Sequence, residues 1–176
     1  MSGRTRLLLD KNVVRRYFEG VTALTQGVAL AEEERQSVLL VHLARGKERR
    51  LFLSLEAFNL LQAHRHQIAP AETLTFLKRV EVLYPSRYFK RWARRLRGRT
   101  FTREDAKVLA LGTFGTDGSG QILGVHIIVT YDRPMLTKWE LERDRLSEAL
   151  ANVTINLQGP FAKAGLPNVQ LPGDAD

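Results

Sequence analysis

Four carboxylates stand where elements of this chain begin or end: Asp10, Glu56, Asp105 and Asp132. Asp10 closes the apolar run Leu7-Leu8-Leu9, and Asp132 follows the β-branched run Val125 to Thr130. Glu56 comes soon after Leu51-Phe52-Leu53, and Asp105 opens a helical pattern. Each acid has a local use. Asp is a favoured N-cap, so Asp10 suits the start of a helix. Thr102 and Asp105 have the spacing of a capping box. Gathered carboxylates repel one another, and a shared set is tolerable mainly around a divalent cation. Oxygen-only ligands select hard ions, here Mg²⁺ or Mn²⁺. Beside a basic surface, such a site suits phosphodiester cleavage, in which metal ions activate water and neutralise the leaving oxygen.

The acids share a site only if the elements carrying them meet. Leu7 to Leu9 are too few for a helix and suit a strand buried on both faces. From Val13 the apolar positions fall at Val13, Val14, Tyr17, Phe18, Val21 and Leu24, one face of a helix. Gly27 breaks it, and a second helix is expected over Ala31 to Gly46, with Glu32, Glu33 and Glu34 in its first turn. A strand at Arg49 to Ser54 precedes a helix from Leu55 to about Gln67, capped by Ser54. Another helix runs from Pro70 to near Arg79, followed by a strand at Val80 to Leu83. Ser86 is expected to cap a helix ending at Gly98, and Thr102 to open the next. Residues 114–120 read as a connecting loop, because no phosphate-cradle pattern follows the glycines. Val125 to Thr130 is the clearest strand, and Trp139 to Leu150 is helical. Alternating strands and helices predict a three-layer α/β/α fold with a central, mainly parallel sheet. In such sheets ligands bind outside the carboxyl ends of the strands, where three of the acids would lie. The expected domain covers residues 1–150. Residues 151–176 form a C-terminal tail, partly extended and containing prolines, with an edge strand at Asn152 to Leu157.

Composition narrows the chemistry. The chain has 176 residues, 27 Lys and Arg against 19 Asp and Glu, and no cysteine. Thiolate metal sites, thiol catalysis and disulfides are excluded, and absent cysteine fits a reducing cytoplasm. No stretch has the length of a membrane span or of a signal peptide's apolar core. The formal charge of +8 favours a polyanionic partner. The basic residues concentrate between Arg87 and Arg99, with no acid between Glu81 and Glu104. Guanidinium groups suit bidentate phosphate contacts, so Arg91, Arg94 and Arg95 are expected to hold a nucleic-acid backbone.

From Leu7 to about Leu136 the chain resembles the PIN-domain (PilT N-terminus-like) family of metal-dependent ribonucleases. That family includes toxins of bacterial toxin–antitoxin pairs. Leu8-Leu9-Asp10-Lys11-Asn12-Val13 is similar to its opening motif, apolar-apolar-Asp-Thr/Ser-Asn-apolar. Residues 102–110, with Asp105-Ala106 opening a helix, are similar to its third motif, and Thr130-Tyr131-Asp132 to its last. The resemblance implies that Asp10, Asp105 and Asp132 are metal-site acids, with Asn12 and Thr130 in support and Glu104 beside them. It implies Mg²⁺ or Mn²⁺ as cofactor, RNA as substrate, products with a 5′-phosphate and a 3′-hydroxyl, an antitoxin partner and a homodimer.

Two positions depart from the pattern. Lys11 stands where the family has Thr or Ser, and an ammonium there would meet substrate phosphate or oppose the metal. The family's second acid lies about two turns into the helix after the second strand. Here Glu56 comes a turn early, and Asn59, three residues on, shares its face. Two functions are therefore expected in order: a metal-dependent endoribonuclease, and a PIN-like RNA binder with a weak or inactive site. An aspartyl phosphatase of the haloacid dehalogenase type needs an Asp where Asn12 stands.

Overall fold

A computed structural model describes residues 4–44 and 49–175. The centre of the sheet is β1 (Thr5–Leu9), flanked by β2 (Arg49–Ser54) on one side and β5 (Ile127–Val129) on the other. Beyond β2 lie β3 (Val80–Pro85) and β4 (Gly115–Thr116), and beyond β5 lies β6 (Asn168–Gln170). The order is therefore β4-β3-β2-β1-β5-β6, parallel throughout except for the β3–β4 pair. From β1 the chain order runs outward in both directions, so the crevice between the ends of β1 and β5 is the switch point.

Side-chain alternation along β1 explains the layers. Leu7 and Leu9 point to one face, among Val13, Val14, Tyr17, Phe18, Leu40, Val41 and Phe76. Those residues come from α1 (Lys11–Thr25), α2 (Glu32–Leu43) and α4 (Pro70–Leu77). Leu8 points to the other face, with Phe52, Leu83 and Ile128. There it meets α5 (Phe89–Gly98), α6 (Arg103–Phe114) and α7 (Arg133–Thr154), which contribute Trp92, Leu96, Leu109, Met135 and Trp139. All three leucines are at most 2% exposed, and burying each side chain contributes about 1.5–3 kcal/mol. The three-layer α/β/α architecture expected from the sequence is the one observed. Among the described residues no helix is long and apolar enough to cross a membrane.

Several elements differ from expectation. The second helix ends at Leu43, and its expected end at Gly46 lies outside the described residues. The helix after β2, α3 (Leu55–Ala63), stops short of Gln67. Ser86 does not cap α5: the N-cap is Tyr88, and among the described residues the buried Ser86 Oγ has no partner. The expected loop after Phe114 opens with the short strand β4. Gly115 allows it, since a Cβ there would lie 2.4 Å from the Leu111 carbonyl oxygen and 2.6 Å from Leu83. The largest difference is at the C-terminal end. The break expected at residue 150 falls inside α7, because Asp132 caps that helix and it runs on to Thr154. The edge strand is not Asn152 to Leu157 but β6, where Val169 is buried and pairs with Ile128.

Candidate active site

One buried hydroxyl organises the switch point. Thr130 follows β5 directly and is fully buried. Its Oγ1 donates to Asp10 Oδ2 at 2.7 Å. The same oxygen accepts from Asn12 Nδ2 at 3.1 Å and from the Asp132 backbone amide at 3.0 Å. Both of those partners can only donate, so the hydroxyl proton must go to Asp10. Asn12 is oriented by its second bond, in which its Oδ1 accepts from the Tyr131 amide at 3.2 Å. Asp10, Asn12, Thr130 and Asp132 thus form one connected network with its donors and acceptors assigned.

The two aspartates cap helices in different ways. Asp132 is an ordinary N-cap of α7, its Oδ1 accepting from the Met135 amide at 3.0 Å. Asp10 caps α1 at the first amide, that of Lys11, at 2.7 Å, whereas an N-cap side chain commonly reaches N2 or N3. Its backbone amide donates to the Val129 carbonyl at 3.0 Å, which ties the end of β1 to β5. Burial pushes the Asp10 carboxyl above its usual range. The bonds from Thr130 and Lys11 and the Lys11 charge oppose that rise, and the Asp132 carboxylate adds to it.

Around this network is a cleft of about 550 Å³ at the carboxyl end of the parallel strands. Asp10, Glu56, Asp105 and Asp132 all line it. So do Lys11, Asn12, Asn59 and Glu104. Thr102 Oγ1 accepts from the Asp105 amide at 3.1 Å, which is half of a capping box. Among the described residues the Asp105 carboxylate makes no return bond, so the cap leaves it free. Glu104 is engaged by Lys107 Nζ at 3.3 Å. Lys107 also lines the cleft; the sequence reading missed it, although it lies one turn beyond Glu104 on the same helix. Glu56 and Asn59 are exposed on α3, a helix with no buried residue.

The donors in the cleft are carboxylates, and the Asp132 charge adds to the cost of ionising Asp10. That chemistry fits a hard divalent cation. Among the described residues, no three acid or histidine side chains converge closely enough to hold a metal ion as they stand.

The basic helix turns its arginines away from the acidic cleft. Of α5, only Phe89 lines the acidic cleft, while Arg91, Arg94 and Arg95 line a separate cavity with Trp92. With 3.6 residues per turn, those arginines lie about 140–240° round the helix from Phe89. They cannot grip a backbone inside the cleft itself.

No family model matches the sequence, and no curated protein matches it. Among solved structures the chain is similar to that of VapBC-1 from nontypeable Haemophilus influenzae, at 14% identity. The similarity covers 77% of this chain and 93% of that one, with a TM-score of 0.38. A likeness that slight says nothing about activity.

Proposed function

We propose that this protein is a Mg²⁺- or Mn²⁺-dependent endoribonuclease of the PIN-domain type, with the acidic cleft as its active site. The observation that carries the reading is the shared bond to Thr130, which fixes Asp10 and Asp132 together at the switch point of the sheet. Asp105 and Glu56 line the same cleft from two other elements. The network works on proton state as well as position. A hydroxyl that must donate to Asp10 stabilises its ionised form against the cost of burial. Asp132, capping α7 through Oδ1, keeps its second oxygen for a ligand. Lys11, exposed at the mouth of the cleft, supplies a positive charge for a substrate phosphate. Asp10, Asp132, Asp105 and Glu56 would hold the ion. When bound, a divalent ion there supplies charge neutralisation at the phosphoryl oxygens and a lowered pKa for attacking water.

The test is cleavage of mixed RNA with Mn²⁺ by the wild type, Asp10→Asn and Asp132→Asn. Activity is expected in the wild type alone, and equal activity in all three rejects the assignment. A second reading, an RNA binder with a weak or inactive site, is favoured by the lack of a converged set of three acids among the described residues. It predicts salt-sensitive RNA binding with no cleavage at any Mn²⁺ concentration. The homodimer and antitoxin partner implied by the family resemblance belong to the same proposal, and light scattering of the purified chain tests the first.

A further inference from the structure

On the side of α5 away from the acidic cleft lies a hollow of about 300 Å³, bordered by Arg91, Arg94 and Arg95 and lined by Tyr88, Trp92 and Phe114. The arginines of this region are not alike. Arg87 lies over the rings of Tyr88 and Phe161, 4.9 and 5.0 Å from their centroids. Arg99 pairs with Glu142 at 3.7 Å. Among the described residues, Arg91, Arg94 and Arg95 make no ion pair and cover no ring. Like charges three and four residues apart destabilise a helix by a few tenths of a kcal/mol per pair. Arg91 stands in that relation to both Arg94 and Arg95, with no acid on α5 to offset it.

The aromatic residues of the lining pack on one another. Trp92 and Phe114 are 2% and 0% exposed, and their rings meet edge to face at 6.2 Å. Tyr88 leans on Phe114 at 5.9 Å. Among the described residues Trp92 Nε1 is buried without a hydrogen-bond partner, an omission that normally carries a cost. An unpaired cationic rim over a hollow floored by packed aromatic rings suits a chain of phosphates. Arg91 to Arg95 also spans about 6 Å of helix rise, more than one phosphate needs.

We propose that this hollow is a second RNA site, which takes the phosphodiester backbone of single-stranded RNA after it leaves the cleft and passes round α5. The choice of RNA rests on the nuclease reading of the cleft. A concave hollow with a cationic rim favours it over a membrane surface, which a flat basic face with protruding apolar side chains would suit. Strand and cleft then divide the work: the acids act on one linkage, and the arginines hold a neighbouring part of the chain.

Binding measured without metal separates this proposal from cleavage. The full chain is titrated with a labelled single-stranded RNA of about twelve nucleotides in EDTA, over a range of salt. The Arg91→Gln/Arg94→Gln/Arg95→Gln variant is expected to bind at least tenfold more weakly. Its slope of log affinity against log salt should be shallower by about 2, since each phosphate contact in a single strand contributes about 0.7. The chain has only two tryptophans, so indole NH signals in the wild type give a readout that does not depend on the variant folding. RNA should shift the Trp92 signal and leave that of Trp139 in place. Wild-type affinity and slope in the triple variant, or an unmoved Trp92 signal at saturation, overturns the proposal. So does a Trp92 shift produced by inorganic phosphate or by phosphatidylserine vesicles but not by RNA. Loss of cleavage in the same protein, with RNA binding intact, would count against the nuclease reading alone.

Discussion

The Thr130 hydroxyl and the Asp10 carboxylate lie 2.7 Å apart, with the proton direction fixed by the two donors that also use that hydroxyl. Thr130→Val keeps the shape and removes every one of those bonds. Asp10 Oδ2, Asn12 Nδ2 and the Asp132 amide would then lose a partner together in a buried place. Stranding buried polar groups costs about 1–3 kcal/mol each where no water replaces the partner. Thr130→Val is therefore expected to lose about 2 kcal/mol in urea unfolding and at least tenfold in Mn²⁺-dependent cleavage. Thr130→Ser keeps the hydroxyl and should stay within about 1 kcal/mol of the wild type, the worth of one methyl group.

Asp10 gives a pH signature in the metal-free protein. Burial, then the nearby Asp132 charge, holds its folded-state pKa above the ordinary 3.8 despite the bonds from Thr130 and Lys11. A raised carboxylate pKa means that the folded state binds the proton more tightly than the unfolded chain. Below about 3.8 both states are protonated and nothing is lost. As pH rises past the raised value the wild type carries the full cost of a buried charge. Asp10→Asn has no such charge, so its melting temperature should gain on that of the wild type between about pH 4 and 7. A constant difference across that range contradicts the shift.

β6 reaches the site through the backbone. The Thr130 amide donates to the Gln170 carbonyl at 3.0 Å, and Val169 and Ala175 are nearly buried. A chain ended after Gly165 loses that pairing and leaves β5 as an exposed edge. It is expected to unfold at lower urea than the wild type and to lose cleavage, although no acid has been removed. Circular dichroism melts beside the cleavage assay check this.

The last strand marks the limit of what the chain discloses about itself. The run Leu7-Leu8-Leu9, the caps Asp10, Ser54 and Thr102 and the strand toward Thr130 are local signals, and each carries its own chemistry. They were enough for the layers, for the sheet edge and for the four acids of the cleft. β6 has three residues, and only Val169 among them is buried; its strand character comes from pairing with β5, which no local pattern encodes. Asn152 to Leu157 has better strand formers, yet α7, once capped by Asp132, extends through its first three residues. The facing of α5 was legible in principle, because Phe89 and Arg94 cannot share a side of a helix. Which side meets the cleft depends on packing that only the fold reveals.

His126 couples pH to the seam between β1 and β5. Its Nδ1 accepts from the Arg6 amide at 2.9 Å, and its own backbone bonds Arg6 and Asn168 on the two neighbouring strands. Burial, and then the Arg6 charge, push its pKa below the ordinary 6.5. The folded state thus resists a proton that the unfolded chain accepts. The stability tied to neutral His126 is complete above about 6.5 and is lost as pH falls through that value toward the lowered one. His126→Gln should flatten the stability profile between about pH 5 and 7, as read by urea midpoints. An unchanged slope would falsify the role of this ring.

Glu56 offers a direct test of the proposed metal site. It is exposed in the first turn of α3 and, among the described residues, makes no hydrogen bond or ion pair. Its removal can therefore cost only its interaction with the helix dipole, a few tenths of a kcal/mol. Glu56→Gln should leave the urea midpoint unchanged. If Glu56 closes on an ion that Asp10, Asp105 and Asp132 already hold, the same change should weaken Mn²⁺ binding by about tenfold, or about 1.4 kcal/mol. Glu104→Gln is the contrast. That carboxylate lines the same cleft but is occupied by Lys107, so its loss should leave Mn²⁺ affinity within about twofold. Calorimetric titration of both variants separates the cases. A large loss for Glu104→Gln with none for Glu56→Gln would move the fourth ligand from α3 to α6.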